Sequence, residues 1–142
     1  RYYRAIVIGN LKEDEGVITT YIGRSDKDRK KMAVVPENKG KIAITNYKVL
    51  ERFKGYTFVE FELKTGRTHQ IRVHSLYMKT PILGDFVYAP KQKNIFSLNG
   101  QLLHAYKLVL THPTTKKEMQ FECELPSYFD DVLKYLRKNY KI

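Results

Sequence analysis

Between Leu63 and Pro81 the spacing of apolar residues changes, and that change constrains the fold more than any other feature of the chain. On either side, apolar and β-branched residues alternate in short runs, the period of a strand with one buried face. Tyr2 to Ile8 alternates in this way and stops at Gly9-Asn10, a turn signal. Val17 to Ile22 has strong β character, and Met32 to Val35 is a short run closed by Pro36. Lys41 to Glu51 and Tyr56 to Leu63, separated by Arg52-Phe53-Lys54-Gly55, read as a hairpin. Leu102 to Ala105, Lys107 to Leu110 and Glu118 to Leu125 read as further strands, with His112-Pro113-Thr114-Thr115 as a turn. Inside the break, Ile71, Val73, His74, Leu76, Tyr77 and Met78 follow a helical period. Thr68 is the expected N-cap of that helix and Thr80-Pro81 its stop. A second helix is expected after Ser127, capped by it, with Phe129, Val132, Leu133 and Leu136 on the apolar side. Strands outnumber helices and neighbour one another in sequence. The expected class is therefore α+β: one domain over residues 1–142, a largely antiparallel mixed β-sheet with flanking helices.

Charge narrows the partners. The 142 residues carry a net charge of +11, with 42% apolar and 13% aromatic residues. That composition buries a core and excludes global disorder, while the excess positive charge points to a polyanion. Basic excess is spread along the chain, but seven of the eight arginines lie in residues 1–72. Arginine's planar fork suits phosphate and carboxylate better than a lysine point charge. The single cysteine, Cys123, excludes an internal disulfide framework and fits a reducing compartment, so a cytoplasmic location is expected. In its alternating strand Cys123 is expected as a small core residue. Apolar runs reach about five residues, far short of a membrane span. His69 and His74 are five apart, not the four that place two ligands on one helix face, so no metal site is expected.

The chemistry concentrates in Leu63-Lys64-Thr65-Gly66-Arg67-Thr68-His69-Gln70-Ile71-Arg72-Val73-His74. A strand end, a glycine turn and a helix start place Arg67 and His69 near unpaired backbone N–H groups that attract anions. Arg72 follows about one turn later, equipped to hold either a phosphate or a catalytic carboxylate.

This segment resembles the T-G-R-T/S-H-Q-I/L-R-V-H motif of the RluA-like pseudouridine synthases over ten consecutive residues. The resemblance continues in Pro81-Ile82-Leu83-Gly84-Asp85 through Tyr88, in Leu103-His104-Ala105, in Leu110-Thr111-His112-Pro113 and in Met119-Gln120-Phe121. Upstream, Tyr3-Arg4-Ala5-Ile6-Val7-Ile8-Gly9 is similar to the family's tyrosine strand. Ile22-Gly23-Arg24 through Arg29-Lys30-Lys31-Met32-Ala33-Val34 is similar to its I-x-R…R-x-K-M-x-V stretch.

The family's nucleophilic Asp, in an H-R-L-D segment, has no counterpart in residues 1–142, and none of the six Asp present lies in such a motif. The resemblance implies the C-terminal portion of a synthase catalytic domain, with the nucleophile upstream of Arg1 and no activity in these residues alone. It implies isomerisation of uridine to pseudouridine in structured RNA, ribosomal or transfer, without cofactor or metal, on a base flipped from its stack. It assigns Tyr3 to stack on the uracil, Arg72 to pair with the Asp and keep it ionised, and Ile71 to line the base pocket. Arg24, Arg29, Lys31, Arg67 and His69 are candidates for RNA contact. The competing reading is a non-catalytic basic RNA-binding module. Loss of upstream strands would also favour self-association through an open sheet edge.

Overall fold

The computed structural model describes residues 1–142. Seven strands form one sheet: β1 (Tyr2–Ile8), β2 (Glu15–Arg24), β3 (Met32–Val35), β4 (Lys41–Phe53), β5 (Tyr56–Leu63), β6 (Leu103–Thr111) and β7 (Glu118–Glu122). Two helices, α1 (Gln70–Tyr77) and α2 (Ser127–Asn139), complete the fold with one 3₁₀ turn at Glu37–Lys39. The strand order is β3-β2-β4-β5-β1-β6-β7. The expected α+β class holds, and each pairing is antiparallel.

The first strand in sequence is central in space. β1 pairs with β5 on one side and β6 on the other, and Ala5, Ile6 and Val7 are all fully buried. Their alternation sorts them to opposite faces. Ala5 and Val7 pack with Ile18, Tyr47, Val59, Phe61, Ile71 and Ile82, beneath α1. Ile6 packs with Phe53, Phe58, Leu102 and the four α2 residues Phe129, Val132, Leu133 and Leu136. Those four are the apolar residues the helical period singles out, each contributing about 2 kcal/mol by burial.

Several local expectations are corrected. The β4–β5 turn is two residues, Lys54-Gly55, with Gly55 at φ +79° supplying the left-handed step, so Phe53 joins the core instead of the loop. The strand predicted to break at Tyr106 is continuous. A bulge there leaves Tyr106 without a partner on β1, between Ala105 opposite Tyr3 and Lys107 opposite Tyr2. Ser127 makes no side-chain cap; α2 starts after Pro126 without one. Cys123 is exposed, because nothing covers that face of the β6–β7 hairpin, where Leu108, Leu110 and Phe121 are also exposed.

Helix α1 is stopped before Pro81. Thr80 N–H donates to the Ser75 carbonyl (3.0 Å) and Lys79 N–H to the Leu76 carbonyl (2.9 Å), with Lys79 at φ +62°. This is a Schellman closure with lysine where glycine is usual. Lys79→Gly should therefore raise stability by about 1 kcal/mol, read as a higher urea midpoint. A lowered midpoint would show that the lysine side chain contributes something the backbone account omits. No helix is long and apolar enough to cross a membrane.

Candidate active site

The turn between β5 and α1 is built around one amide. Gln70 is buried, and its Oε1 accepts from the Arg67 N–H (2.9 Å) and the Thr65 hydroxyl (2.8 Å). Its Nε2 donates to the Ile44 carbonyl (3.0 Å) and to Thr45 Oγ1 (2.9 Å). Both donors and both acceptor positions are thus used, and the turn is stitched to β4. Gln70→Ala should cost about 1–3 kcal/mol, measured by denaturant unfolding; an unchanged midpoint would mean that water replaces the stitch. Thr68 is not the N-cap. His69 occupies that position in the left-handed conformation, φ 55° and ψ 24°, without a side-chain cap bond. Its ring explains the placement, since Nδ1 lies 2.7 Å from the Tyr88 hydroxyl and the two rings meet edge to face.

Arg72 projects from α1 against the segment after Pro81. Its Nε and Nη2 donate to Asp85 Oδ2 and Oδ1, both at 2.9 Å. The Asp85 side chain is 1% exposed and the Arg72 side chain 13%. The Tyr88 ring lies under the guanidinium, 4.9 Å from centroid to Cζ, and the Tyr88 N–H donates to Asp85 Oδ1. Hydrogen bonding to Asp85 raises the Arg72 pKa above its ordinary value. The Tyr88 hydroxyl also accepts from the Met32 N–H at the start of β3. Burial, then the Arg72 charge, pushes the His69 pKa below its ordinary value, so the ring is neutral at pH 7.

His74, two residues on from Arg72, is fully buried and bridges two strands to α1. Thr45 Oγ1 lies 2.7 Å from Nδ1 and Thr20 Oγ1 2.8 Å from Nε2. Thr45 already accepts from Gln70, which leaves its hydroxyl proton for Nδ1 and the Nε2–H for Thr20. Burial holds this ring far below the usual imidazole range, at about 4.

These elements frame a cleft of about 430 Å³ whose lining includes Tyr3, Arg67, His69, Ile71 and Arg72. Five of the eight sequence-selected residues therefore meet in one place. Tyr3 enters from β1, half-buried between Phe61 and Ala105. Ile71 contributes only a margin, being 3% exposed and mostly committed to the core. Arg67 is tied by Nε to the Ile42 carbonyl (2.7 Å). Arg24, Arg29 and Lys31 lie outside the lining, on and beside the exposed 25–31 loop, where Arg24 Nη1 donates to the Arg29 carbonyl. Lys31 sits 6.0 Å from the Tyr88 ring, so the loop adjoins the site. A larger cleft, about 710 Å³ between residues 96–101 and α2, holds none of the selected residues.

Sequence reasoning missed Asp85 and Tyr88 as parts of the site. The P-I-L-G-D-F-V-Y spacing was visible, but nothing local shows that Asp85 turns back onto Arg72.

The family model for RNA pseudouridylate synthase matches residues 1–77, more than half of the chain. The chain belongs to the RNA pseudouridylate synthase family. A Bacillus subtilis (strain 168) protein described as an uncharacterized RNA pseudouridine synthase is 46% identical over 139 residues, which are 98% of this chain and 45% of that protein. The Pseudomonas aeruginosa ribosomal large subunit pseudouridine synthase D is 41% identical over 150 residues, covering 98% of this chain and 46% of that one. The chain thus spans less than half of either relative. The solved structure of human RNA pseudouridylate synthase domain containing 4 superposes with a TM-score of 0.76 at 29% identity, covering 96% of this chain and 61% of that one.

Proposed function

We propose that the complete polypeptide converts uridine to pseudouridine in structured RNA, with the β1–α1 cleft as one wall of the base pocket. The carrying observation is that Tyr3, in β1, and the neighbouring pair Ile71 and Arg72, in α1, are distant in sequence, are assigned roles by the family motif, and line the same cleft. In this reading Tyr3 stacks on the uracil and Ile71 supplies an apolar margin. Arg72 meets the nucleophilic carboxylate contributed by an upstream segment and keeps it ionised. The N1–C1′ bond breaks, the C5–C1′ bond forms, the C5 proton leaves to solvent and the freed N1 takes up a proton, so the reaction is an isomerisation with no cofactor.

Arg24, Arg29, Lys31 and Arg67 supply phosphate contact along the rim. His69, neutral and turned to Tyr88, acts there as a hydrogen-bonding group instead of a charge. Large-subunit ribosomal RNA is the substrate this reading favours, because the Pseudomonas relative is named for it. A cytoplasmic location goes with that substrate.

The test is tritium release from RNA carrying [5-³H]uridine, using the complete polypeptide. Release that matches pseudouridine formed supports the reading. RNA binding with a steep salt dependence but no release overturns it in favour of the non-catalytic binding module, which the +11 charge also suits.

A further inference from the structure

A guanidinium offers two bidentate edges, one made by Nε and Nη2, the other by Nη1 and the second Nη2 hydrogen. In Arg72 the first edge is occupied by Asp85, with both bonds at 2.9 Å. Nη1 has no hydrogen-bond partner within the protein, and Arg72 lines the cleft. The plane of the group is set as well, by the Tyr88 ring 4.9 Å beneath it.

Asp85 is itself held firmly. Its Oδ1 accepts from the Tyr88 N–H at 3.2 Å, and its backbone carbonyl accepts from Gln92 Nε2 at 3.1 Å. Gln92 Oε1 also accepts from the N–H of Gly84, whose φ of +84° turns the chain into Asp85. A surface ion pair would leave such a guanidinium to swing. Here the carboxylate is 1% exposed and both edge and face of the partner are fixed.

We propose that Asp85 is a positioning residue for the isomerisation. It holds one edge of Arg72 so that the other edge is presented, in a fixed direction, to the nucleophilic carboxylate of the substrate complex. This rests on the proposed function. Asp85 does not touch the substrate; it acts through Arg72.

Two measurements on the complete polypeptide test it. In the first, single-turnover pseudouridine formation at saturating RNA is compared for wild type and Asp85→Asn, each with Arg72 intact and with Arg72→Lys. Asp85→Asn is expected to slow the wild-type background about 100-fold while leaving RNA affinity within about threefold, since loss of alignment acts on the reacting geometry. The same change beside Arg72→Lys is expected to cost less than about threefold, because lysine has no edge for Asp85 to hold. Equal losses in both backgrounds, or a loss confined to RNA affinity, overturn the proposal.

The second measurement needs neither a variant nor activity. In ¹⁵N NMR of the wild-type protein, Arg72 is expected to show separate Nη resonances with guanidinium rotation arrested, both free and bound to RNA. Averaged resonances overturn the proposal. A protein that forms no pseudouridine but keeps Arg72 arrested removes the proposed function alone.

Discussion

Arg72→Ala in the complete polypeptide should lower pseudouridine formation by about 100- to 1,000-fold, the usual consequence of removing one preorganised charge from a reacting centre. RNA affinity should change by less than about threefold, because Arg72 is 13% exposed and, in the proposed function, phosphate contact falls to Arg24, Arg29, Lys31 and Arg67. The structure adds a second effect that the family motif does not announce. Alanine strands the Asp85 carboxylate, 1% exposed, without its cation. Breaking a buried pair from one side costs about 3–5 kcal/mol, so the variant should also unfold at lower urea. Arg72→Lys separates the two effects: it keeps a cation near Asp85, and should recover much of the stability while recovering little of the rate. Activity retained in Arg72→Ala would remove Arg72 from the mechanism; lost activity with unchanged stability would mean that the Asp85 pair is solvated.

Acidification should destabilise the fold through His74 before most carboxylates titrate. The ring's pKa falls from 6.5 to about 4 on folding, because burial disfavours the imidazolium. Below 6.5 the unfolded chain binds a proton that the folded chain refuses, so stability is complete above that pH and declines as pH falls. The slope is about 1.4 kcal/mol per pH unit, or about 3 kcal/mol in all by the folded pKa. His69 shifts in the same direction and Glu62, whose pKa is lowered mainly by hydrogen bonds that outweigh its burial, contributes at lower pH. The comparison must therefore be against His74→Gln, which keeps polar bridging without titrating there. The difference between wild type and this variant in urea unfolding should narrow between pH 7 and pH 5. A constant difference would show that His74 takes up its proton without disturbing Thr20 and Thr45. Because those bonds hold α1 to β2 and β4, protonation also threatens the placement of Ile71 and Arg72.

The parts legible in the sequence are those whose cause is local. Alternation located β1 and β5 to the residue, and the helical period selected the four buried residues of α2. Tyr3, Ile71 and Arg72 were readable as a set only through the ten-residue motif, which carries information that spacing alone lacks. The misses have distant causes. Thr68 has the right chemistry for an N-cap, yet His69 takes the position, held by a tyrosine hydroxyl nineteen residues downstream. Cys123 alternates like a core residue, but burial needs a covering layer, and none lies over that side of β7. The partner of Arg72 was open between phosphate and carboxylate; one carboxylate turns out to be Asp85, brought in by a loop that a left-handed glycine redirects.

The central position of β1 bears on how the chain is made. Its β5 neighbour is complete once residue 63 has been synthesised, whereas β6 is complete only at residue 111. At ordinary translation rates that interval lasts roughly 2–10 s. Throughout it the middle of the future sheet is an open edge carrying the apolar run Ala5-Ile6-Val7. Such an edge is a template for pairing with another nascent chain. Crowded polysomes should therefore be where this protein misassembles, and a pause after residue 63 should be more harmful than one after residue 111.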